Sequence, residues 1–186
     1  MKVCVFCSSK AELVAGLSSS VEAFSSCLAE EGIDLVYGGS RDGLMGAVAD
    51  GLLQKGGKVH GVFPKNLFGP EVAHKNLTHF VETENMLDRK DKMMALSDIF
   101  VVFPGGLGTL DEALEVLTWK SLGQLQGEIL FFNWQGFWGP FQSLLQDLEK
   151  RGVLYPEALS SYKMVDTIEE LCKELRDAGK PTSSLA

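Results

Sequence analysis

The sequence predicts an α/β fold in which helices cover both faces of a mostly parallel sheet. Six short runs rich in β-branched and aromatic residues alternate with amphipathic stretches, which is typical of successive strand–helix–strand units. The runs are almost continuously apolar, and this favours strands that are buried on both faces. The length of 186 residues matches one domain. We therefore expect one doubly wound, Rossmann-like domain over residues 1–178 and a polar, frayed tail over residues 179–186.

Each element of this fold is predicted from its own pattern. The strands are predicted from apolar runs, which in chain order are Val3–Phe6, Leu35–Tyr37, Val59–Phe63, Phe80–Val81, Ile99–Phe103 and Ile129–Phe132. The helices are predicted where polar and apolar residues mix with helical periodicity, at about 17–31, 43–55, 86–97, 109–122, 137–150 and 167–177.

Charge and cysteine content exclude several classes of protein. Lys and Arg total 17 against 25 Asp and Glu, a net charge of −8, which argues against binding nucleic acid or an anionic membrane through a basic face. No apolar run is long enough for a transmembrane helix or a secretory signal, so we expect a cytoplasmic protein. The four cysteines are expected to be packing residues in a reducing compartment, since Cys4 and Cys7 would point to opposite faces of one strand.

Unusual residues follow three of the predicted strands, and two of these loops are rich in glycine. Ser8-Ser9 follows the first strand, Gly38–Gly46 the second, and Pro104–Thr109 the strand that begins at Ile99. Paired glycines before a helix expose backbone N–H donors, and the helix dipole favours an anion there, so a phosphorylated ligand is predicted. Neither loop is a G-x-G-x-x-G or Walker motif. The alternative is that these glycines only form tight strand–helix turns.

Charged residues near two predicted helix starts are candidate site residues. Thr109 and Glu112 fit a capping box, so Glu112 is either a structural cap or a carboxylate presented to a ligand in the first helical turn. Arg89 and Lys90 lie where a helix dipole disfavours cations, which indicates an anionic partner, and the alternative is a solvated charge run. The three histidines show no metal-ligand spacing, and neither a zinc site nor a Ser-His-Asp triad is predicted.

Two ordered runs together carry a resemblance to a known family. Tyr37-Gly-Gly-Ser-Arg-Asp-Gly-Leu-Met-Gly46 is followed by Pro104-Gly-Gly-Leu-Gly-Thr-Leu-Asp-Glu112, which contains every fixed position of P-G-G-x-G-T-x-x-E. The chain thus resembles the Lonely Guy family of cytokinin riboside 5′-monophosphate phosphoribohydrolases, often labelled possible lysine decarboxylases. Val3–Ser9, Leu67–Thr78 and Glu115–Trp119 are similar to other family segments, so the resemblance covers about residues 2–155.

The resemblance implies a catalytic pair and a set of substrate contacts. The pair is Arg89 and Glu112. One position departs from the family, because Leu87 stands where its Met-His-[Glu/Gln]-Arg-Lys segment has histidine, and we expect this to affect substrate preference or helix packing more than the reaction. The implied substrate contacts are Ser8, Gly39, Ser40, Gly43, Met45, Glu71, Met86, Lys90, Gly105, Gly106, Gly108, Thr109, Leu110, Asp111 and Thr118.

The implied reaction is hydrolysis of the N-glycosidic bond of an adenine-type nucleoside 5′-monophosphate, AMP or N6-prenylated AMP, to free base and ribose 5-phosphate. Glu112 would stabilise the oxocarbenium-like ribose or position water, and Arg89 would clamp a substrate oxygen. The resemblance implies no cofactor and no metal. It also implies a homodimer, with the apolar helix Thr109–Leu122 and Trp119 at the interface, unless Trp119 belongs to the core.

Two other functions stay open from the sequence. The first is a non-catalytic nucleotide-binding or sensor module, against which the presence of both Arg89 and Glu112 argues. The second is lysine decarboxylation, which requires pyridoxal phosphate on a lysine, and no such site is indicated.

Overall fold

One parallel sheet forms the centre of the molecule. The computed structural model describes residues 1–65, 69 and 72–179. Within these residues seven strands lie in the order β4-β3-β2-β1-β5-β6-β7, and every neighbouring pair is parallel. The strands are β1 (Lys2–Phe6), β2 (Asp34–Tyr37), β3 (Val59–Pro64), β4 (His79–Thr83), β5 (Ile99–Val102), β6 (Ile129–Phe132) and β7 (Lys163–Val165).

Helices cover both faces of this sheet, as predicted. Side chains of α1, α2 and α7 pack with strand residues in one apolar cluster, and side chains of α3, α4 and α5 pack in a second cluster on the other face. The helices are α1 (Val14–Glu30), α2 (Gly43–Gln54), α3 (Met86–Ala95), α4 (Leu107–Ser121), α5 (Gly139–Lys150), α6 (Pro156–Ser160) and α7 (Ile168–Ala178).

The alternation of side chains along β1 explains why Cys4 and Cys7 pack on opposite faces of the sheet. Cys4 packs in the cluster with α3 and α4, whereas Cys7, one residue beyond the strand, packs in the cluster with α1 and α2. All four cysteines are buried and none forms a disulfide, as expected for packing residues.

The predicted elements are confirmed with small shifts, and a few short elements were missed. All six predicted strands and all six predicted helices are found. The edge strand Lys163–Val165 and the short helix Pro156–Ser160 lacked a clear signal, because each is very short and only one residue of the strand is buried. Apart from Gly179, the predicted tail lies outside the described residues.

The order of the strands creates a crevice. The chain proceeds from β1 outward to β4 and then returns to place β5 on the other side of β1, where Phe6 pairs with Val102. Ligands in doubly wound folds bind at such a reversal, beyond the carboxyl ends of the strands.

Among the described residues, no helix combines the length and apolarity that crossing a membrane demands.

Candidate active site

A cavity of about 480 Å³ opens at this reversal, a size that suits a small organic ligand. Ser8 joins the surrounding loops. Its N–H donates to the Pro104 carbonyl (3.3 Å), and its own carbonyl accepts from the Met45 N–H (3.3 Å). The loops after β1, β2 and β5 therefore meet around one space. The lining residues are Cys7, Ser8, Ser9, Lys10, Gly38, Ser40, Asp42, Met45, Phe63, Val72, Met86, Arg89, Gly106, Leu107, Gly108, Thr109 and Glu112.

The N-terminus of α4 faces this cavity. Gly106 is the N-cap residue, and no side chain caps the first turn. A Cβ atom added to Gly106 or Gly108 would meet nothing within 4 Å, so neither glycine is required by packing. The first N–H groups of a helix have no acceptor within the helix. The terminus is therefore uncapped and sterically open, which makes it a candidate anion site.

The glycines that open α2 have a packing reason instead. Gly43 has a φ of +59°, and an added Cβ atom would lie 2.3 Å from the carbonyl carbon of Ser9. A Cβ atom on Gly46 would lie 1.9 Å from the Arg41 carbonyl oxygen. These contacts support the tight-turn interpretation for this loop, so the predicted phosphate is best placed at α4.

Arg89 is a buried residue whose guanidinium is fixed by two polar contacts. Its Nε donates to the Val62 carbonyl (3.2 Å), and Nη1 lies 3.0 Å from Oε1 of Glu112. A Cβ atom on Gly38 would lie only 1.7 Å from Nη2, so this glycine leaves room for the guanidinium. The side chain of Asn85 caps α3 and sets where that helix begins. The predicted anionic partner of Arg89 is thus a carboxylate of the chain itself, and the solvated-charge alternative is wrong.

Glu112 lies in the second turn of α4 and does not belong to a capping box. The helix begins two residues before Thr109, so the predictions that Thr109 is the N-cap and Glu112 a first-turn residue are wrong. Burial raises the pKa of the Glu112 carboxyl to about 7, although the neighbouring Arg89 opposes this shift. Its Oε1 is the atom that contacts Arg89, and the residue also lines the cavity. The carboxylate therefore borders the space that a ligand would occupy.

Lys90 is also buried, but it serves the helix pair rather than the cavity. Its ammonium lies 3.0 Å from Asp111 and 2.7 Å from Glu115 on α4. Burial alone would lower its pKa, but the bonds to these two carboxylates outweigh that effect and raise it. The pairing therefore fixes α3 against α4, with Arg89 and Glu112 between the same two helices.

Most of the predicted site residues divide into a group on the cavity wall and a group away from it. Glu71 lies outside the described residues, and Leu87 is 70% exposed, so it does not pack in the interior. Residues on the cavity wall are Ser8, Ser40, Met45, Met86, Arg89, Gly106, Gly108, Thr109 and Glu112. Residues away from that wall are Gly39, Gly43, Lys90, Gly105, Leu110, Asp111 and Thr118.

Several lining residues were missed. Most lie next to a predicted residue, either beside Ser8 or in a glycine loop, which was a usable signal. Val72 falls in the segment Leu67–Thr78 that resembles the family, whereas Phe63 on β3 had no signal. The missed residues are Cys7, Ser9, Lys10, Gly38, Asp42, Phe63, Val72 and Leu107.

Burial raises the pKa of the Cys7 thiol well above its usual range, so the thiol stays protonated and is a poor nucleophile.

The raised pKa of Glu112 predicts a pH dependence of stability. Between the ordinary value of 4.5 and the folded value of about 7, the folded protein binds more protons at this site than the unfolded chain. Stability contributed by Glu112 is therefore present below about pH 4.5 and lost as the pH rises through about 7, by up to about 3 kcal/mol. Denaturant unfolding of the wild type and of Glu112→Gln over this range measures it. The free energy of unfolding of the wild type should fall relative to that of the variant as the pH rises, and a wild type that keeps pace with the variant or gains on it would contradict the prediction.

Comparison with known proteins shows the family of the chain. The chain matches the family model described as possible lysine decarboxylase over residues 45–175. The cytokinin riboside 5′-monophosphate phosphoribohydrolase LOG of Oryza sativa subsp. japonica is 35% identical over 95% of this chain and 73% of its own length. The phosphoribohydrolase of the same name from Rhodococcoides fascians is 34% identical over 94% and 88%.

A solved structure, the Moco carrier protein from Chlamydomonas reinhardtii, superimposes with a TM-score of 0.71 over 95% of this chain and 96% of that one. At 18% identity this likeness shows the fold alone. The matched family model and the two relatives show more than the fold. The chain therefore belongs to the Lonely Guy family of phosphoribohydrolase enzymes.

Proposed function

We propose that the protein hydrolyses the N-glycosidic bond of adenine-type nucleoside 5′-monophosphates, AMP or N6-prenylated AMP, to free base and ribose 5-phosphate. The observation that carries this proposal is the buried carboxylate of Glu112, fixed by Arg89 at 3.0 Å beside an uncapped helix N-terminus. A phosphate at that terminus and a carboxylate one helical turn further along suit the two ends of a ribose 5-phosphate group.

The chemistry follows from the charge that develops on the sugar. As the bond between ribose and base breaks, the electron pair leaves with the base and the ribose becomes oxocarbenium-like. Oε2 of Glu112 stabilises this positive charge or orients the attacking water. Arg89 keeps the carboxylate in place through Oε1 and, by lowering its pKa against the effect of burial, favours the ionised form that the reaction uses.

Release of base should require the 5′-phosphate. Metal-free protein is incubated with AMP, N6-isopentenyl-AMP and the corresponding nucleosides, and free base is measured by chromatography. We expect kcat/KM for the monophosphates to exceed that for the nucleosides by on the order of 100-fold, because the N–H groups of α4 bind a charged oxygen. Equal turnover of both would contradict the phosphate site. Binding of AMP without base release would indicate the non-catalytic module instead.

We further propose that the enzyme is a homodimer that associates through the outer face of α4. Leu107, Leu114 and Leu122 form one exposed stripe along this helix and its C-cap, with exposed fractions of 86%, 45% and 63%. Trp119 beside them is 43% exposed, so the alternative that it is a core residue is wrong. Thr118 lies on the same stripe, and we propose that it contributes to the site of the second copy.

A charge on this stripe should separate the two copies. Leu114→Glu places a carboxylate in the apolar contact, so we expect a monomer by light scattering and reduced base release at the same protein concentration. Leu144→Glu is the matched control, because Leu144 is 54% exposed on α5, away from the stripe. A wild-type monomer, or a Leu114→Glu protein that associates like the wild type, would overturn the proposed interface.

A further inference from the structure

A histidine–aspartate pair lies behind the cavity and is not used by the chemistry above. His74 is 7% exposed, and its Nδ1 accepts a hydrogen bond from the backbone N–H of Asn76 (3.2 Å). Because Nδ1 is the acceptor, the ring proton of the neutral form resides on Nε2, which therefore donates to Oδ1 of Asp50 at 3.0 Å. Asp50 is on α2, outside the cavity lining, and its side chain is 57% exposed.

His74 belongs to a short segment that is bonded to the loop after β2. The His74 N–H donates to the Gly39 carbonyl (2.9 Å), and the Arg41 N–H donates to the Val72 carbonyl (2.9 Å). Ser40 and Ala73 form an isolated antiparallel bridge between these two bonds. Val72 and Ser40 both line the cavity. The backbone contacts therefore form one wall of the site from two segments that lie far apart in the sequence.

A side-chain bond ties the Val72–His74 segment to a helix. The bond runs from His74 to Asp50 and joins the segment to the same helix whose N-terminus adjoins the glycine loop. Without it, the two backbone hydrogen bonds that form the Ser40–Ala73 bridge would hold an otherwise irregular stretch to that loop. Irregular segments with few buried contacts open more easily than helices and strands do.

We propose that His74, oriented by Asp50, is a positioning residue for nucleotide binding. It holds Val72–His74 against residues 39–41 and so keeps the cavity wall preformed, which reduces the ordering that the ligand must otherwise impose. The proposal rests on the proposed function in that the ligand is a nucleoside monophosphate. Because neither residue touches the proposed reacting atoms, their effect falls on affinity rather than on the chemical step.

The experiment compares three variants with the wild type. Asp50→Ala removes the acceptor of the His74 ring, whereas Asp50→Asn keeps an oxygen that accepts the same bond. Asp34→Ala is the matched control: Asp34 accepts from His60 at 2.9 Å in the same kind of pair, but at the opposite end of the sheet. The readouts are amide hydrogen exchange at Arg41 and His74, the Kd for AMP by calorimetry, and kcat for base release.

We expect amide exchange at Arg41 and His74 to become about tenfold faster in Asp50→Ala, and the Kd for AMP to rise about fivefold. The kcat should stay within about twofold of the wild type, and both Asp50→Asn and Asp34→Ala should behave like the wild type. Unchanged exchange and affinity in Asp50→Ala, or an equal effect of Asp34→Ala, would overturn the positioning role. A wild type that binds AMP and releases no base would count against the proposed hydrolysis alone.

Discussion

Replacing Arg89 by alanine should reduce base release by on the order of 100-fold or more, because the carboxylate of Glu112 loses the group that fixes it. Arg89 is only 7% exposed, so its removal also affects the fold. We therefore also expect the free energy of unfolding to fall by about 1–3 kcal/mol at neutral pH, since a buried carboxylate is left without its partner. Base release and denaturant unfolding measure the two effects.

A double variant separates these two effects. Arg89→Ala with Glu112→Gln leaves no unpaired charge in the cavity, so it should recover much of the stability that Arg89→Ala alone loses. Its activity should stay as low as that of the single variant, because both members of the pair are absent. Wild-type turnover in Arg89→Ala would show that the guanidinium serves only the fold.

Most of the fold could be predicted because its strands are buried on both faces. Such strands are almost continuously apolar, and β5 and β6, all of whose residues are buried, show this directly. The start of α4 was misplaced because Thr109 and Glu112 satisfy a capping pattern by coincidence. Gly106 takes the N-cap position without any side-chain bond, and a glycine there gives no capping signal in the sequence.

The site was predictable where its residues are contiguous and not where the sheet brings them together. The loop from Pro104 to Thr109 could be identified as an anion site from its own glycines. The contact between Arg89 and Glu112 joins two helices, and only the position of β5 beside β1 places these helices on one face. The bond between His74 and Asp50 likewise depends on a segment whose path has no local sequence signal.

Replacing Glu112 by glutamine should reduce kcat by about 100-fold or more while binding of AMP persists. The amide oxygen of glutamine can still accept from Arg89, but it carries no charge to stabilise an oxocarbenium-like ribose. Calorimetry with AMP and a chromatographic assay of free base measure binding and turnover on the same protein. Retained binding would show that the phosphate end of the site does not depend on the carboxylate.

The stability of this variant decides between a chemical and a structural role. Glu112 does not belong to a capping box, so the substitution removes no helix cap. Burial also opposes the ionised form of Glu112, which the variant does not have. At about pH 5 the wild type holds this carboxyl mostly protonated, so the neutral amide is a close match and we expect the free energy of unfolding to change by less than about 1 kcal/mol. At about pH 8 the wild type must bury the carboxylate in ionised form, and the variant should then be the more stable protein by up to about 3 kcal/mol. A Glu112→Gln protein that unfolds like the wild type and releases base at the wild-type rate would exclude Glu112 from the reaction.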